Sequence, residues 1–308
     1  MTNIIISDFD ETITKSDTIS VLAQINLITN PNPDDENKWS HFTEHYMEGW
    51  RKYHDNAPLR QLPLLKCFDG KIISDGNYKT ALYSEFKYQE YLRVIELYSI
   101  DELTNKSYFS ETKGLIPEFT KKCLTDSSIK LREGFKGLLN KINITSNKFY
   151  IISVNWSTEF ILGVLDDEHM NESNVFCNAL NTHDGDYDGS FSKQVMTGSD
   201  KIISLDKIVA LETHTENNCK FWYIGDSETD LLSILNPNVN GVLLLDPSEN
   251  AEKFFKVARD ILGVSQESLT FFLQDDVSIV QLPVAKCHHN KLYLAKSWDA
   301  ISNVIYDK

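Results

Sequence analysis

Apolar and polar positions along this chain fall into blocks of two kinds. Ile4-Ile5-Ile6, Phe149-Tyr150-Ile151-Ile152, Phe221-Trp222-Tyr223-Ile224 and Val242-Leu243-Leu244-Leu245 are short unbroken apolar runs. Runs of that length, rich in β-branched and aromatic side chains, predict strands buried on both faces, as in a parallel sheet covered by helices. Between the first two runs the period changes. Trp39, Phe42, Tyr46, Trp50 and Tyr53 recur at three- and four-residue steps, and Tyr91, Val94, Ile95 and Tyr98 follow the i, i+3, i+4, i+7 template of an amphipathic helix. Breaks fall at Asn30-Pro31-Asn32-Pro33 and over 69–77, which holds Gly70 and Gly76. An aromatic stripe of this kind reads as a packing surface. Residues 249–262 predict a helix, and 291–306 a short strand and a helix starting near Ser297 that extend the sheet.

Polar residues stand directly behind the apolar runs. After the first comes Asp8-Phe9-Asp10-Glu11-Thr12. In an extended segment residues i and i+2 project to one side, so Asp8 and Asp10 are expected to face one pocket with Phe9 turned away. Two carboxylates held that close need a cation between them, a proton on one, or water around both. A surface turn is the competing reading. After the second run stand Ser153, Asn155 and Ser157, a hydroxyl and amide cluster that suits phosphate oxygens or caps a helix. Thr197-Gly198-Ser199-Asp200-Lys201 leads into a helical pattern and offers a lysine as counter-charge, with Lys207 as its fallback. After the third run comes Gly225-Asp226-Ser227-Glu228-Thr229-Asp230. Asp226 there serves as a helix N-cap or, with Asp230 four residues on, faces a hard cation.

In this order the four elements resemble those of the haloacid dehalogenase superfamily, in its phosphoserine-phosphatase-like branch. Asp8-Phe9-Asp10-Glu11-Thr12-Ile13-Thr14 matches the first motif, Ser153 the second, Lys201 the third and Gly225 to Asp230 the fourth. Asn178-Ala179-Leu180 and Asp186-Tyr187-Asp188-Gly189 also look like that branch. The resemblance covers about 1–14 and 131–245 and implies an α/β fold on a Rossmannoid parallel sheet; with the helical patterning between, the expected division is a core over 1–14 and 131–308 and an inserted helical cap over 15–130. The resemblance also implies a Mg²⁺-dependent phosphomonoesterase acting on a small phosphorylated metabolite through an aspartyl phosphate on Asp8. Asp10 would be the general acid and base. Mg²⁺ would be held by the Asp8 side chain, the Asp10 carbonyl and Asp226, with Asp230 in support, while Ser153 and Lys201 bind the transferring phosphoryl oxygens. A carboxylate at Asp10 speaks for an oxygen leaving group, because dehalogenases lack it. Two alternatives stay open: a phosphotransferase or mutase on the same site, and a catalytically idle regulatory or protein-binding member of the fold.

Composition narrows the partners. A chain of 308 residues predicts about two domains, and its net charge of −15, from 30 basic and 45 acidic residues, argues against nucleic acid or an anionic membrane surface. The expected partner is a small-molecule phosphomonoester. No run of 18 or more apolar residues is present, which excludes an ion pump of related chemistry. The five dispersed cysteines read as reduced thiols and no signal peptide is visible, so a cytoplasmic location is expected. The stretch Asp184 to Gly189 begins like a Ca²⁺ loop but lacks the closing carboxylate, and is read as a hairpin turn. Cys287-His288-His289 and the pair His41 and His45 are weak zinc candidates. Asp17 is read as a helix cap, and 246–308 receives no functional reading.

Overall fold

The computed structural model describes residues 2–65, 75–215, 218–283 and 290–306, with the backbone of 67–68 and 71–72. In chain order the strands are β1 (Thr2–Ser7), β2 (Cys67–Phe68), β3 (Lys71–Ile72), β4 (Lys148–Ile152), β5 (Val175–Phe176), β6 (Leu180–His183), β7 (Asp186–Phe191), β8 (Cys219–Gly225), β9 (Asn240–Leu244), β10 (Ile279–Leu282) and β11 (Leu292–Ala295). Seven of them form one sheet in the order β10-β11-β9-β8-β1-β4-β5. All neighbours run parallel except the edge pair β10 and β11.

Alternation along each strand divides two buried faces, which is why the runs are apolar throughout. Ile5, Phe149, Ile151, Trp222 and Ile224 join one core, while Ile4, Ile6, Tyr150, Ile152 and Tyr223 join the other. The helices are α1 (Ile19–Ala23), α2 (Asn26–Thr29), α3 (Trp39–Tyr53), α4 (Asp75–Asn105), α5 (Ile116–Thr125), α6 (Phe135–Asn143), α7 (Thr158–Leu165), α8 (Gly198–Thr215), α9 (Leu231–Ile234), α10 (Ala251–Phe254, continued as a wide turn over Phe255–Leu262), α11 (Gln266–Phe272) and α12 (Trp298–Tyr306). The first face is covered by α6, α7 and α12 through Phe135, Phe160 and Trp298, the second by α8, α9 and α11 through Leu205, Leu231 and Phe272. From β1 the chain moves out to β4 and β5, then returns past β1 to β8. The switch point of the sheet therefore lies at the carboxyl ends of β4, β1 and β8, where open α/β sheets build their sites.

Between β1 and β4 the chain leaves the sheet after Thr14 and comes back at Leu131, and these two residues pair as an isolated antiparallel bridge. The departing stretch is mostly helical, with the β2–β3 ladder between α3 and α4. The α3 stripe packs as expected: Phe42 is buried against Tyr108, and Tyr46, Trp50 and Tyr53 pack on Tyr88, Leu92 and Ile95 of α4. The α4 stripe runs differently from its template. Tyr88, Leu92, Ile95 and Ser99 are buried, while Val94 is 39% exposed. Asp184 and Gly185 form the turn of the β6–β7 hairpin, both at positive φ (52° and 90°), as a two-residue hairpin loop needs.

Toward the C-terminus the helix expected over 249–262 begins at Ala251, one residue after the Asn250 cap, and the strand and helix expected over 291–306 are present as β11 and α12. Two short elements, α11 and β10, escape the sequence pattern. Cys287-His288-His289 lies outside the described residues. No helix among the described residues is long and apolar enough to cross a membrane.

Candidate active site

Asp8, Ser153 and Asp226 follow β1, β4 and β8 directly, so three adjacent strands deliver them to one edge of the sheet. Asp8 is 5% exposed, Asp226 1%, and Ser153, Lys201 and Asp230 are fully buried. Lys201, in the first turn of α8, is no surface lysine. Its ammonium lies 2.8 Å from Asp8 Oδ2 and 2.8 Å from Asp230 Oδ1. Lys207, the fallback, is exposed on the same helix.

Asp230 is saturated. Its Oδ1 also accepts from the Tyr223 hydroxyl (2.9 Å), and its Oδ2 accepts from Ser227 Oγ (2.8 Å), Ser227 N (3.1 Å) and Asp226 N (3.3 Å). It thus fixes both the lysine and the turn that presents Asp226. Gly225 makes this possible, because a Cβ there would come within 2.3 Å of Asp230 Cγ. The cap of this turn is Ser227, in a capping box with Asp230, and Asp226 is left for the site.

Asp226 Oδ1 accepts from the Thr12 hydroxyl (2.6 Å), and its Oδ2 bonds the Lys253 ammonium, which also pairs with Glu11 (2.8 Å). Glu11 sits at φ 57°, in the left-handed region, and the sharp reversal there turns Thr12 back toward Asp226. This loop is clamped from the C-terminal segment and from just past the insertion: Trp298 Nε1 donates to the Thr12 carbonyl (2.9 Å) and Arg132 Nε to the Glu11 carbonyl (2.8 Å).

Asp10 does not share Asp8's surroundings. The strand ends at Ser7, so the extended-chain rule no longer governs which way Asp10 points. Its Oδ1 accepts from Thr18 N (2.8 Å) and Thr18 Oγ1 (2.5 Å), and its Oδ2 from Asn155 Nδ2 (2.9 Å). Thr18 belongs to the insertion and Asn155 to the β4–α7 turn, so Asp10 stands where these meet. Ser153 Oγ accepts from Asn155 N (3.1 Å), and Ser157 caps α7. Asp17, expected as the cap of α1, instead stands one residue ahead of Thr18, which holds that helix's N-cap position, and accepts from Ile19 N (2.8 Å).

These environments set the charges. Burial raises Asp8 well above the usual carboxylate range, and the charges of Asp230 and Asp226 add to the rise against the pull of Lys201. Burial also raises Asp226, against the pull of Lys253. Asp230 goes the other way: burial opposes its ionisation, but Lys201, Ser227 and Tyr223 outweigh that and hold it low. Burial and then the charge of Asp17 push Asp10 up to about 6, against the hydrogen bonds from Thr18 and Asn155.

Carboxylate oxygens of Asp8, Asp226 and Asp230 lie within 4.8 Å of one another. These three carboxyl groups face two ammonium groups, Lys201 and Lys253, and Lys253 also serves Glu11, so with all three ionised negative charge exceeds positive there. An all-oxygen donor set with surplus negative charge suits a hard divalent cation. His41 and His45 make no such group: His41 bonds Glu102 (2.8 Å) and His45 the Tyr98 carbonyl (3.2 Å). Beside the carboxylates opens a cleft of about 1010 Å³, with Trp50, Arg60 and Tyr88 of the insertion on one wall and Ser227 and Lys253 on the other. Arg60 bridges it, bonding Glu85 (2.7 Å) in α4 and Glu228 (2.9 Å) in the turn after β8.

The sheet is the mostly parallel, helix-covered one that the sequence resemblance implies, with Asp8, Ser153 and Asp226 at the carboxyl ends of adjacent strands and Lys201 in the first turn of α8. The chain belongs to the cold tolerance protein 1 family. It is 40% identical to Cold tolerance protein 1 of Saccharomyces cerevisiae over 318 residues, spanning 99% of this chain and 98% of that one. A CTO1 family protein of Schizosaccharomyces pombe is 24% identical over 96% of this chain and 97% of its own length. No protein-family model matches. Similar solved structures include a HAD family hydrolase from Salmonella enterica serovar Typhi (15% identical, TM-score 0.45, 89% of this chain and 72% of that one). A phosphoserine phosphatase caught as a phospho-aspartyl intermediate analogue is another (15%, TM-score 0.41, 82% and 90%). A protein of unknown function from Bordetella pertussis reaches a TM-score of 0.50 at 11% identity, over 84% of this chain and 96% of that one. Identities this low speak to fold alone.

Proposed function

We propose that the chain is a phosphomonoesterase that works through an aspartyl phosphate on Asp8 with Mg²⁺ as its metal, and that residues 15–130 act as a cap over the site. The observation that carries this reading is the buried Asp8–Lys201–Asp230 chain beside Asp226, at the carboxyl ends of neighbouring strands. Asp8 Oδ attacks phosphorus, forming an acyl phosphate as the bond from phosphorus to the leaving oxygen breaks. Asp10, half-protonated near pH 6, gives its proton to that oxygen, then takes one from the water that attacks phosphorus and frees Asp8. Thr18 and Asn155 hold both Asp10 oxygens and so fix the direction of proton transfer. Lys201 and Ser153 bind the phosphoryl oxygens, and the lysine lowers the charge on Asp8 enough for an anion to approach an anion.

The carboxylates fit the metal by their chemistry and their surplus charge. Asp8 and Asp226 would hold Mg²⁺ with the Asp10 carbonyl, and the saturated Asp230 would orient the ligands. When bound, the ion supplies positive charge between nucleophile and phosphate.

The test is turnover of a panel of small phosphomonoesters by purified protein with Mg²⁺. Hydrolysis that stops in chelator and in Asp8→Asn is the expected outcome. Hydrolysis that persists in a folded Asp8→Asn protein would sink the mechanism.

A further inference from the structure

We propose that Lys253 is a tethered cation that competes with the divalent metal for Asp226, so that loading the site requires the lysine to release that carboxylate. The proposal rests on the phosphatase reading for the presence of a metal, and concerns a residue which that reading does not use.

Lys253 is held in place at both ends. Its N–H donates to the Asn250 side chain (3.0 Å) in the cap of the helix, and the next residue, Phe254, is fully buried in the core. The side chain reaches from the C-terminal segment to two carboxylates of other elements, Asp226 Oδ2 and Glu11 Oε2. Asp226 is only 2% exposed at its side chain, and its other oxygen already accepts from Thr12. An incoming cation meets an ammonium at Oδ2 and a hydroxyl at Oδ1. Two positive charges on one buried carboxylate repel strongly, because water does not screen them there. Ammonium and metal therefore exclude or weaken each other.

Glu11 makes the exchange feasible. It is 41% exposed at its side chain and outside the cluster of three carboxylates, so it offers the displaced lysine a partner at the mouth of the site. In the metal-free protein the same lysine relieves the repulsion among Asp8, Asp226 and Asp230 that would otherwise strain the turn after β8.

Isothermal titration of metal-free protein with Mg²⁺, paired with thermal melts, tests this on wild type, Lys253→Met, Lys253→Arg and Asp226→Asn. Lys253→Met is expected to bind Mg²⁺ about tenfold tighter than wild type, the gain from removing one competing charge. Its metal-free Tm falls, and the rise on Mg²⁺ saturation is larger than in wild type. Lys253→Arg, which keeps the charge, stays within about twofold of wild-type affinity. Where Lys253→Met fails to fold, Lys253→Gln keeps a donor for both carboxylates without the charge and shows the same tightening. Unchanged or weaker Mg²⁺ binding in the uncharged variants overturns the lysine's role alone. Absence of any Asp226-dependent Mg²⁺ binding by wild type overturns the metal reading together with it.

Discussion

Two carboxylates separated by a single residue occupy opposite regimes in this molecule. Asp8 lies on a floor of charge, with Lys201 on one of its oxygens and Asp230 and Asp226 beyond. Asp10 lies at a rim of neutral donors, held by Thr18 from the insertion and Asn155 from the sheet. Burial raises both groups; on the floor Lys201 pulls Asp8 back toward the ionised form that a nucleophile needs, and a bound cation would pull it further. A group that gives and takes a proton must be able to lose its charge, which neutral hydrogen bonds allow. The contrast teaches that spacing along the chain does not set the role of a carboxylate here. The side chains brought to it by distant elements do.

The largest effect should come from removing the cation of the floor. Lys201→Met leaves Asp8 and Asp230 buried against each other, and losing one partner of a buried ionic network costs about 3–5 kcal/mol. Urea unfolding should show that loss, while Asp10→Asn, compared at about pH 5 where folded Asp10 still holds its proton, unfolds within about 1 kcal/mol of wild type because its hydrogen-bond partners Thr18 and Asn155 are neutral. Equal stability of Lys201→Met and wild type would erase the distinction between floor and rim.

Next in size is the rim's contribution to rate. Asp10→Asn should slow formation of the phosphoenzyme from an alkyl phosphate by roughly 10²–10⁴-fold, the usual worth of general acid catalysis. With p-nitrophenyl phosphate, whose phenolate leaves unaided, the loss should be smaller. Single-turnover kinetics giving equal losses for the two substrates would remove Asp10 from the acid role.

The smallest effect is a shift with pH. Asp10 sits at about 6 in the folded protein against an ordinary 3.8, so its folded value is raised. The stability it contributes is whole below the lower value and is lost as pH rises through the upper one. Asn at this position has no such loss. In chelator the Tm of Asp10→Asn minus that of wild type should therefore grow more positive between about pH 4 and pH 7. A difference that stays flat would mean that burial does not penalise the Asp10 charge.

The sequence made the floor legible because its residues stand at strand ends, where a run of apolar side chains stops and a short polar motif begins. Asp8, Ser153, Asp226 and Asp230 announce themselves that way, and Lys201 does so as the lysine of a polar turn that opens a helical pattern. Lys253 and Trp298 do not. Each touches the first-motif loop from more than 240 positions away, and each sits in a helical stretch that no motif marks. Thr18 hides for the same reason, as one polar residue at the start of a short helix. The four residues of β10 and the seven of α11 are short, and no apolar run or period sets them off from loop. What could be read was local; what was missed depends on which helix folds back on which loop.

The central claim is that Asp8 itself carries the phosphoryl group. Borohydride reduces an acyl phosphate to an alcohol, so it converts a phosphorylated Asp8 into homoserine, which peptide mass spectrometry locates. Protein quenched during turnover of p-nitrophenyl phosphate with Mg²⁺ should show this change at position 8, and more of it in Asp10→Asn, where the phenolate still leaves unaided but water attack lacks its base. Phosphate release with Asp8 unmodified in both proteins would contradict the account.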